Sequence, residues 1–270
     1  METRIQLCGR LVVLVHGRRL EDQLPGRQGR LLFAYLAAHR IRPVYRDELK
    51  DALWPDGLLK AADSALSALL SKLRHVLGTE LLVGRSELRL VLPSEAWIDL
   101  EAAGEAIHRA ESAVALGDWA QAWGPARVAL NIARRGFLRF ETAPWIDEQR
   151  RFLEEVELRA LECVAEAGLG LGGPELASAE RSGRALIQVA PYRESGHRLL
   201  MKVFAASGNV AEAIWVYEVL CCRLRDDLGI VPSAETRELH RGLLSAEVSA
   251  ERAVLTRSAS TPNATRATRN

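Results

Sequence analysis

Residues 62–78, ADSALSALLSKLRHVLG, constrain the fold more than any other stretch of this 270-residue chain. The stretch predicts an amphipathic helix about 24 Å long, which Asp63 or Ser64 can cap and which Gly78 ends. After Asp63 its polar side carries small hydroxyls and cations but no carboxylate. Such a side can approach a DNA groove closely and bind phosphates, although a surface helix of a small domain is the plainer interpretation. The apolar stripe consists of Leu66, Leu69, Leu70, Leu73, Val76 and Leu77.

The segments on either side of this helix predict a winged helix-turn-helix. Three short β-favouring runs predict a small antiparallel sheet, two helical patterns and a turn at 55–57 follow, and a hairpin with a polar tip comes last. In this geometry the third helix enters the major groove, and the hairpin lies along the backbone or the minor groove. The predicted bounds are strands at 4–9, 11–15 and 18–20, helices at 27–39 and 45–54, and hairpin strands at 81–83 and 88–92.

From Ile98 to about Leu244 the pattern is helical throughout. A glycine with an alanine five positions later opens a helix three times, at Gly117, Gly172 and Gly208. The last two openings are 36 residues apart (208 − 172), which is close to the period of tetratricopeptide repeats. The glycine ends one helix tightly, and the small alanine lets paired helices approach. We therefore expect an all-α, tetratricopeptide-like repeat region.

The predicted organisation is mainly α, with three parts. A winged-helix DNA-binding domain occupies 1–95, a helical repeat domain occupies 96–245, and a disordered tail rich in Ser, Thr, Ala and Arg occupies 246–270. Residues 1–97 carry 15 Lys and Arg against 11 Asp and Glu (+4), whereas the remainder carries 21 against 24 (−3). A basic N-terminal part followed by an acidic C-terminal part is typical of a nucleic-acid-binding domain joined to a protein-binding domain.

Cysteine usage and hydropathy indicate a cytoplasmic chain with no membrane partner. Cys8, Cys163, Cys221 and Cys222 show no C-x-x-C spacing, so we predict buried thiols in a reducing compartment. The apolar run 11–15 is too short for a signal peptide or a membrane span.

Motifs of catalysis are absent from the sequence. The glycine run from Gly168 to Gly173 follows a helix and lacks dinucleotide-binding spacing, so it predicts a loop between helices. The six histidines show no paired metal-ligand spacing, and no Ser-His-Asp set can be placed. We predict no catalytic residue, no metal, no cofactor and no enzymatic activity.

Three groups of residues are the candidates for DNA binding; for each group, an ordinary solvated surface is the alternative. The first group lies at the N-terminus of the first helix, where free amides and cations can hold a phosphate. The second forms the outer face of the third helix, and the third lies on the wing. Arg74 could instead bond within the domain, and Arg89 could instead pair with Glu87. The groups are Arg27, Gln28 and Arg30; Ser64, Ser67, Ala68, Ser71, Lys72, Arg74 and His75; and Arg85 and Arg89.

The first hundred residues resemble the OmpR/PhoB-type winged helix and, more closely, the DNA-binding domain of SARP regulators of secondary metabolism. The resemblance implies binding to direct promoter repeats as a head-to-tail pair, activation of transcription and contact with RNA polymerase. The matching segments are Arg27-Gln28, Arg30-Leu31-Leu32, Arg46-Asp47-Glu48-Leu49, Leu53-Trp54-Pro55 and Ser71-Lys72-Leu73-Arg74.

A second set of motifs resembles the bacterial transcriptional activation domain (BTAD) that follows the winged helix in SARP proteins. It lies between Pro191 and Ser233 and includes Pro191-Tyr192-Arg193-Glu194, Ala213, Tyr217, Leu224, Asp227-Leu228-Gly229-Ile230 and Pro232-Ser233. The third helix is richer in Ala and Ser than is typical of the family. An alternative therefore remains open, a tetratricopeptide-like interaction scaffold whose winged helix no longer reads DNA.

Overall fold

A computed structural model describes residues 2–55 and 61–245. The chain divides into two compact units, Met1–Leu116 with Gln121–Ala160 and Gly117–Ala120 with Leu161–Asn270. Part of the predicted turn at 55–57 and the whole predicted tail at 246–270 lie outside the described residues.

Secondary structure is mainly helical, and the fold class predicted from the sequence is confirmed. The strands are β1 (Arg4–Gln6), β2 (Val12–Val15), β3 (Arg18–Arg19), β4 (Val44–Tyr45), β5 (Leu82–Val83), β6 (Glu87–Leu90) and β7 (Trp97–Ile98). The helices of the first half are α1 (Gly26–Ala38), α2 (Arg46–Leu53), α3 (Ala62–Leu77), α4 (Asp99–Ala115) and α5 (Trp119–Ala133). The remaining helices are α6 (Pro144–Leu171), α7 (Leu176–Val189), α8 (Glu194–Ala206), α9 (Val210–Arg223) and α10 (234–245).

The N-terminal sheet of the first unit has the strand order β3-β2-β1-β7. Strand β1 pairs antiparallel with β2, through Ile5 and Val13, and parallel with β7, through Ile5 and Ile98. The predicted antiparallel pairing of the first three strands is confirmed, whereas the fourth strand, β7, and its parallel pairing with β1 were not predicted. Strand β7 has only two residues and pairs with a strand distant in sequence, so no local alternation marks it.

Three helices and a second sheet complete the winged helix. In α3, Leu66, Leu70, Leu73 and Leu77 are buried at steps of four, three and four residues, as its stripe predicted. The second sheet has the order β4-β6-β5. Its strand β4 takes Tyr45, which the sequence had placed in the second helix. The predicted side-chain cap of α3 is also wrong, because no side chain caps its N-terminus.

Glu48 ties α2 to α1. The Tyr35 hydroxyl donates to Glu48 Oε1 at 2.6 Å, and Arg42 Nη1 donates to Glu48 Oε2 at 3.0 Å. The Arg42 guanidinium, more than any other group, lowers the pKa of Glu48 to about 2; partial burial opposes this shift and the Tyr35 hydroxyl adds to it. The carboxylate therefore stabilises the folded state at neutral pH.

We expect Glu48→Gln to lower the free energy of unfolding by about 1 kcal/mol at pH 7. The effect is modest because solvent partly screens this ion pair. Because the folded-state pKa lies below the ordinary value, this stabilisation is present above about pH 4.3 and is lost as the pH falls towards 2. Urea unfolding of both proteins between pH 2 and pH 7 measures the difference. Glu154→Gln, at an exposed position of α6, is the control. A difference in unfolding free energy that stayed constant from pH 2 to pH 7 would contradict this role of Glu48.

The start of the helical region is built into the same compact unit as the winged helix. Asp99 is fully buried, and its Oδ1 and Oδ2 accept the backbone N–H groups of Leu7 and Cys8 at 2.8 and 2.9 Å. Burial raises the pKa of Asp99, against the opposing effect of these two donors. Arg40 donates two hydrogen bonds to Glu101, each of 2.7 Å. These contacts fix the start of α4 to the segment that follows β1 and to the turn that follows α1.

Helices α7 to α10 pack around the core of the second unit, which is formed by Leu200, Met201, Phe204, Ala213 and Val216. The alanine at each repeat opening was predicted to let paired helices approach closely. Ala122 and Ala213 are fully buried, in agreement with this prediction. It is wrong for Ala177, which is exposed, because the core position in α7 is taken by Ala179.

Glu194 holds the start of α10 against α8. Its carboxylate accepts the Ser233 backbone N–H at 3.0 Å, the Ser233 hydroxyl at 2.7 Å and the Thr236 hydroxyl at 2.5 Å. One carboxylate therefore satisfies three donors at a helix N-terminus, where backbone N–H groups lack intrahelical partners.

The glycine run is not entirely a loop, which corrects the prediction. Gly168 and Gly170 lie within α6, whereas Gly172 and Gly173 follow it with positive φ angles of 69° and 57°. A Cβ atom on Gly170 would lie 2.5 Å from the ring of Trp119, so this glycine lets the indole pack against the helix.

The prediction of four buried thiols is wrong for two of them. Cys8 and Cys163 are buried, but Cys221 is half-buried and Cys222 is exposed. Leu220 and Leu224 occupy the core-facing positions of this turn, and the two cysteines between them turn away from the core.

Each helix of the described segments is too short or too polar to cross a lipid bilayer. The same segments contain no group of three or more His, Cys, Asp or Glu residues placed to hold a metal ion.

Candidate nucleic-acid interface

The outer face of α3 is free of the protein core. After Asp63 its exposed side chains are those of serines, an alanine, Lys72 and His75, and residues 64–79 contain no carboxylate. Seven residues were predicted for this face, and all but Arg74 are exposed on it. The six are Ser64, Ser67, Ala68, Ser71, Lys72 and His75.

Two cations of α2, which the sequence had not singled out for the site, support the first turn of this face. Arg46 Nη2 donates to Ser67 Oγ at 2.8 Å and to the carbonyl of Asp63 at 3.3 Å. Ser67 Oγ itself donates to the Asp63 carbonyl at 2.8 Å, and Lys50 Nζ lies 3.3 Å from Asp63 Oδ1. Ser67 therefore has its hydroxyl oriented by Arg46. Arg46 belongs to the R-D-E-L segment that carries the family resemblance, so that segment was the available sequence signal for its role.

Arg74 points towards the wing. Its Nε donates to the carbonyl of Leu82 at 3.3 Å, and its Nη2 donates to the carbonyl of Gly84. Of the two interpretations of Arg74, the structure shows the bond within the domain, through which α3 supports the hairpin. Its contact with DNA stays a prediction.

The wing presents Arg85 and Arg89, both exposed, in the hairpin of β5 and β6. Arg89 and Glu87 both lie among the described residues and form no ion pair. The alternative in which Glu87 engages Arg89 is therefore not seen. Arg74 and Arg85 both line a cavity of about 410 Å³ beside this hairpin.

The hairpin tip requires glycine at position 84. Gly84 has a φ angle of +89°, and a Cβ atom there would overlap the backbone carbonyl of Glu87. We expect Gly84→Ala to distort the wing, to destabilise the first unit by about 1–3 kcal/mol and to weaken DNA binding. Gly124→Ala, in a helix with open space around the new methyl, is the control. Thermal unfolding tests the loss of stability, and a DNA titration tests the loss of affinity. Wild-type stability and wild-type DNA affinity in Gly84→Ala would contradict the prediction.

The three residues predicted at the N-terminus of α1 do not act as one group. Arg27 pairs with Glu141, with 2.7 Å between Nε and Oε2. Gln28 Nε2 donates to the carbonyl of Leu53 at 3.4 Å, while its Oε1 is buried without a partner. Arg30 is exposed, and its side chain has no hydrogen bond or ion pair among the described residues. The DNA contacts assigned to all three stay predictions.

Comparison with known proteins identifies the family. The family model described as "Bacterial transcriptional activator domain" matches residues 98–244. The chain belongs to the bacterial transcriptional activator domain family. This match covers the helical region in which the second set of sequence motifs lies, and it confirms the resemblance to SARP-type regulators.

The relatives of this family member are named as regulatory proteins, and one of them as a transcriptional regulatory protein. Regulatory protein AfsR of Streptomyces griseus is 31% identical over 220 residues, which cover 82% of this chain and 22% of that protein. AfsR of Streptomyces coelicolor is 33% identical over 221 residues, with the same coverage. Transcriptional regulatory protein EmbR of Mycobacterium tuberculosis is 28% identical over 259 residues, 88% of this chain and 62% of EmbR. The chain therefore spans about a fifth of the length of the AfsR relatives.

A solved structure supports the fold. The structure described as Mycobacterium tuberculosis EmbR in complex with low affinity phosphopeptide matches 97% of this chain and 72% of that chain, with a TM-score of 0.76 and 23% identity. The likeness shows that the order of winged helix and BTAD helices is shared.

Proposed function

We propose that this BTAD family member is a DNA-binding transcriptional regulator of the cytoplasm that activates genes and is not an enzyme. In this proposal α3 enters the major groove of promoter DNA, and the wing contacts the flanking backbone or minor groove. Pairs of the protein bind direct repeats head to tail, and the BTAD region contacts RNA polymerase. No cofactor or metal takes part.

The observation that carries the proposal is the exposed outer face of α3. Small side chains allow the helix backbone to approach the base edges, while Lys72 and Arg85 offer positive charge to phosphates. The orientation of Ser67 by Arg46 supports the same function, because a fixed hydroxyl contacts a base or an ordered water with less loss of entropy.

The alternative function is a tetratricopeptide-like interaction scaffold with a vestigial winged helix. It draws on the small side chains of the α3 face, which leave few long donors to reach base edges. The intact support of this face by Arg46 and Lys50 favours the DNA-binding function, because a vestigial face needs no such support.

A gel-shift experiment with the full chain and its own upstream region separates the two functions. Specific retardation that resists competitor DNA supports the regulator, and a scrambled duplex of the same composition is the control. Absence of retardation at low salt would reject DNA binding and favour the scaffold.

A further inference from the structure

The first unit contains a cavity of about 360 Å³ away from α3 and the wing. Four segments surround it: the loop after β1, residues 21–22 before α1, the first half of α1 and residues 138–141 before α6. Leu11, Leu31 and Leu138 give it apolar surface, and Phe140 stands at its edge with 87% of the residue exposed. Its volume is in the range of small-molecule sites.

The charges around the cavity do not balance. Arg10, Arg30 and Arg139 line it, and none of them has a side-chain hydrogen bond or an ion pair among residues 2–55 and 61–245. Two of the three carboxylates are already engaged. Glu21 accepts Arg19 Nε at 2.7 Å and the Val13 N–H at 3.2 Å.

The second engaged carboxylate is Glu141, which pairs with Arg27. Asp22 is the one carboxylate of the lining left without a described ion pair. Three unpaired guanidinium groups against one unpaired carboxylate leave an excess of positive charge, and a bound anion would offset it.

We propose that this cavity binds a small phosphate-bearing ligand with an aromatic part. Guanidinium groups match the geometry of phosphate oxygens, and the exposed Phe140 ring offers a face on which an aromatic group can stack. The three leucines explain why a purely inorganic anion would fill the cavity less well.

Arg30 links the cavity to the proposed function, because it is also a candidate for DNA phosphate contact. A ligand that engages Arg30 competes with the duplex for this side chain, so ligand binding weakens DNA binding. This regulatory step rests on the proposed DNA-binding function, whereas binding of the ligand itself does not.

Isothermal titration of the full chain with phenyl phosphate, and separately with inorganic phosphate, tests the site. We expect saturable binding of phenyl phosphate that is tighter than binding of inorganic phosphate. Arg10→Ala and Arg139→Ala should each weaken it about three- to five-fold, as expected for exposed charge pairs. Phe140→Ala should remove the preference for phenyl phosphate. Arg109→Ala, at an exposed arginine of α4, is the matched control.

Three outcomes would overturn the proposal. The first is the absence of saturable phenyl phosphate binding, and the second is an equal loss in Arg109→Ala, which indicates general charge screening. The third is no ligand binding together with a lower salt dependence of DNA binding in Arg139→Ala, which assigns the arginines to the duplex. Ligand binding in a protein that fails to bind DNA would keep the site and reject the proposed function, so the two failures are distinguishable.

Discussion

Asp99→Ala should lower the free energy of unfolding of the first unit by about 3–4 kcal/mol. The substitution leaves the buried N–H groups of Leu7 and Cys8 without acceptors, and each unsatisfied donor costs about 1–3 kcal/mol. The lost contacts join β1 to the first turn of α4, so the effect should reach both the N-terminal sheet and the helical region. Asp99→Asn should be destabilising as well, because its amide nitrogen cannot accept one of the two hydrogen bonds.

Urea unfolding gives the size of the effect, and amide hydrogen exchange locates it. The Leu7 and Cys8 amides should exchange faster in Asp99→Ala than in the wild type. Glu105→Ala removes an exposed carboxylate from the same helix and should change stability by less than about 0.5 kcal/mol. Wild-type protection of both amides in Asp99→Ala would show that the carboxylate does not hold them.

The double charge reversal Lys72→Glu/Arg85→Glu should weaken DNA binding by about 100-fold or more at low salt. Each substitution replaces an attraction to phosphate with a repulsion, and opposed like charges cost several kcal/mol in an interface. Both side chains are exposed, so the fold should persist. Fluorescence anisotropy with a labelled duplex measures the affinity, and circular dichroism checks the fold.

Arg181→Glu/Lys202→Glu is the matched control, since it makes the same change in net charge at exposed positions of α7 and α8. It should reduce DNA affinity by a few-fold at most, through the long-range field of the protein. Equal losses in the two double variants would mean that net charge, and not the face of α3 and the wing, governs binding.

Where the sequence carried a periodic signal, the fold could be predicted. The leucines of α3 repeat at helical spacing over about three turns, and the structure buries Leu66, Leu70, Leu73 and Leu77. Strands β4 and β7 could not be predicted, because each has two residues and depends on a partner distant in sequence. The pairing of Ile5 with Ile98 and the hydrogen bonds to Asp99 are tertiary contacts of the same kind.

The candidate interface was predictable as a surface but not as a set of contacts. Helical spacing alone places Lys72 and His75 on the exposed face. It cannot show that Arg27 pairs with Glu141, 114 positions along the chain, or that Arg46 orients Ser67. Long, flexible arginine side chains reach several partners, and their choice depends on which elements the fold brings close.

The salt dependence of DNA binding tests the central claim, that the outer face of α3 and the wing contact a duplex. The dissociation constant of the wild type, Lys72→Ala and Arg85→Ala is measured at several salt concentrations with the upstream duplex. Each single variant should lower the slope of log affinity against log salt by about one unit, because it loses one phosphate contact. Slopes that remain at the wild-type value in both variants would contradict it.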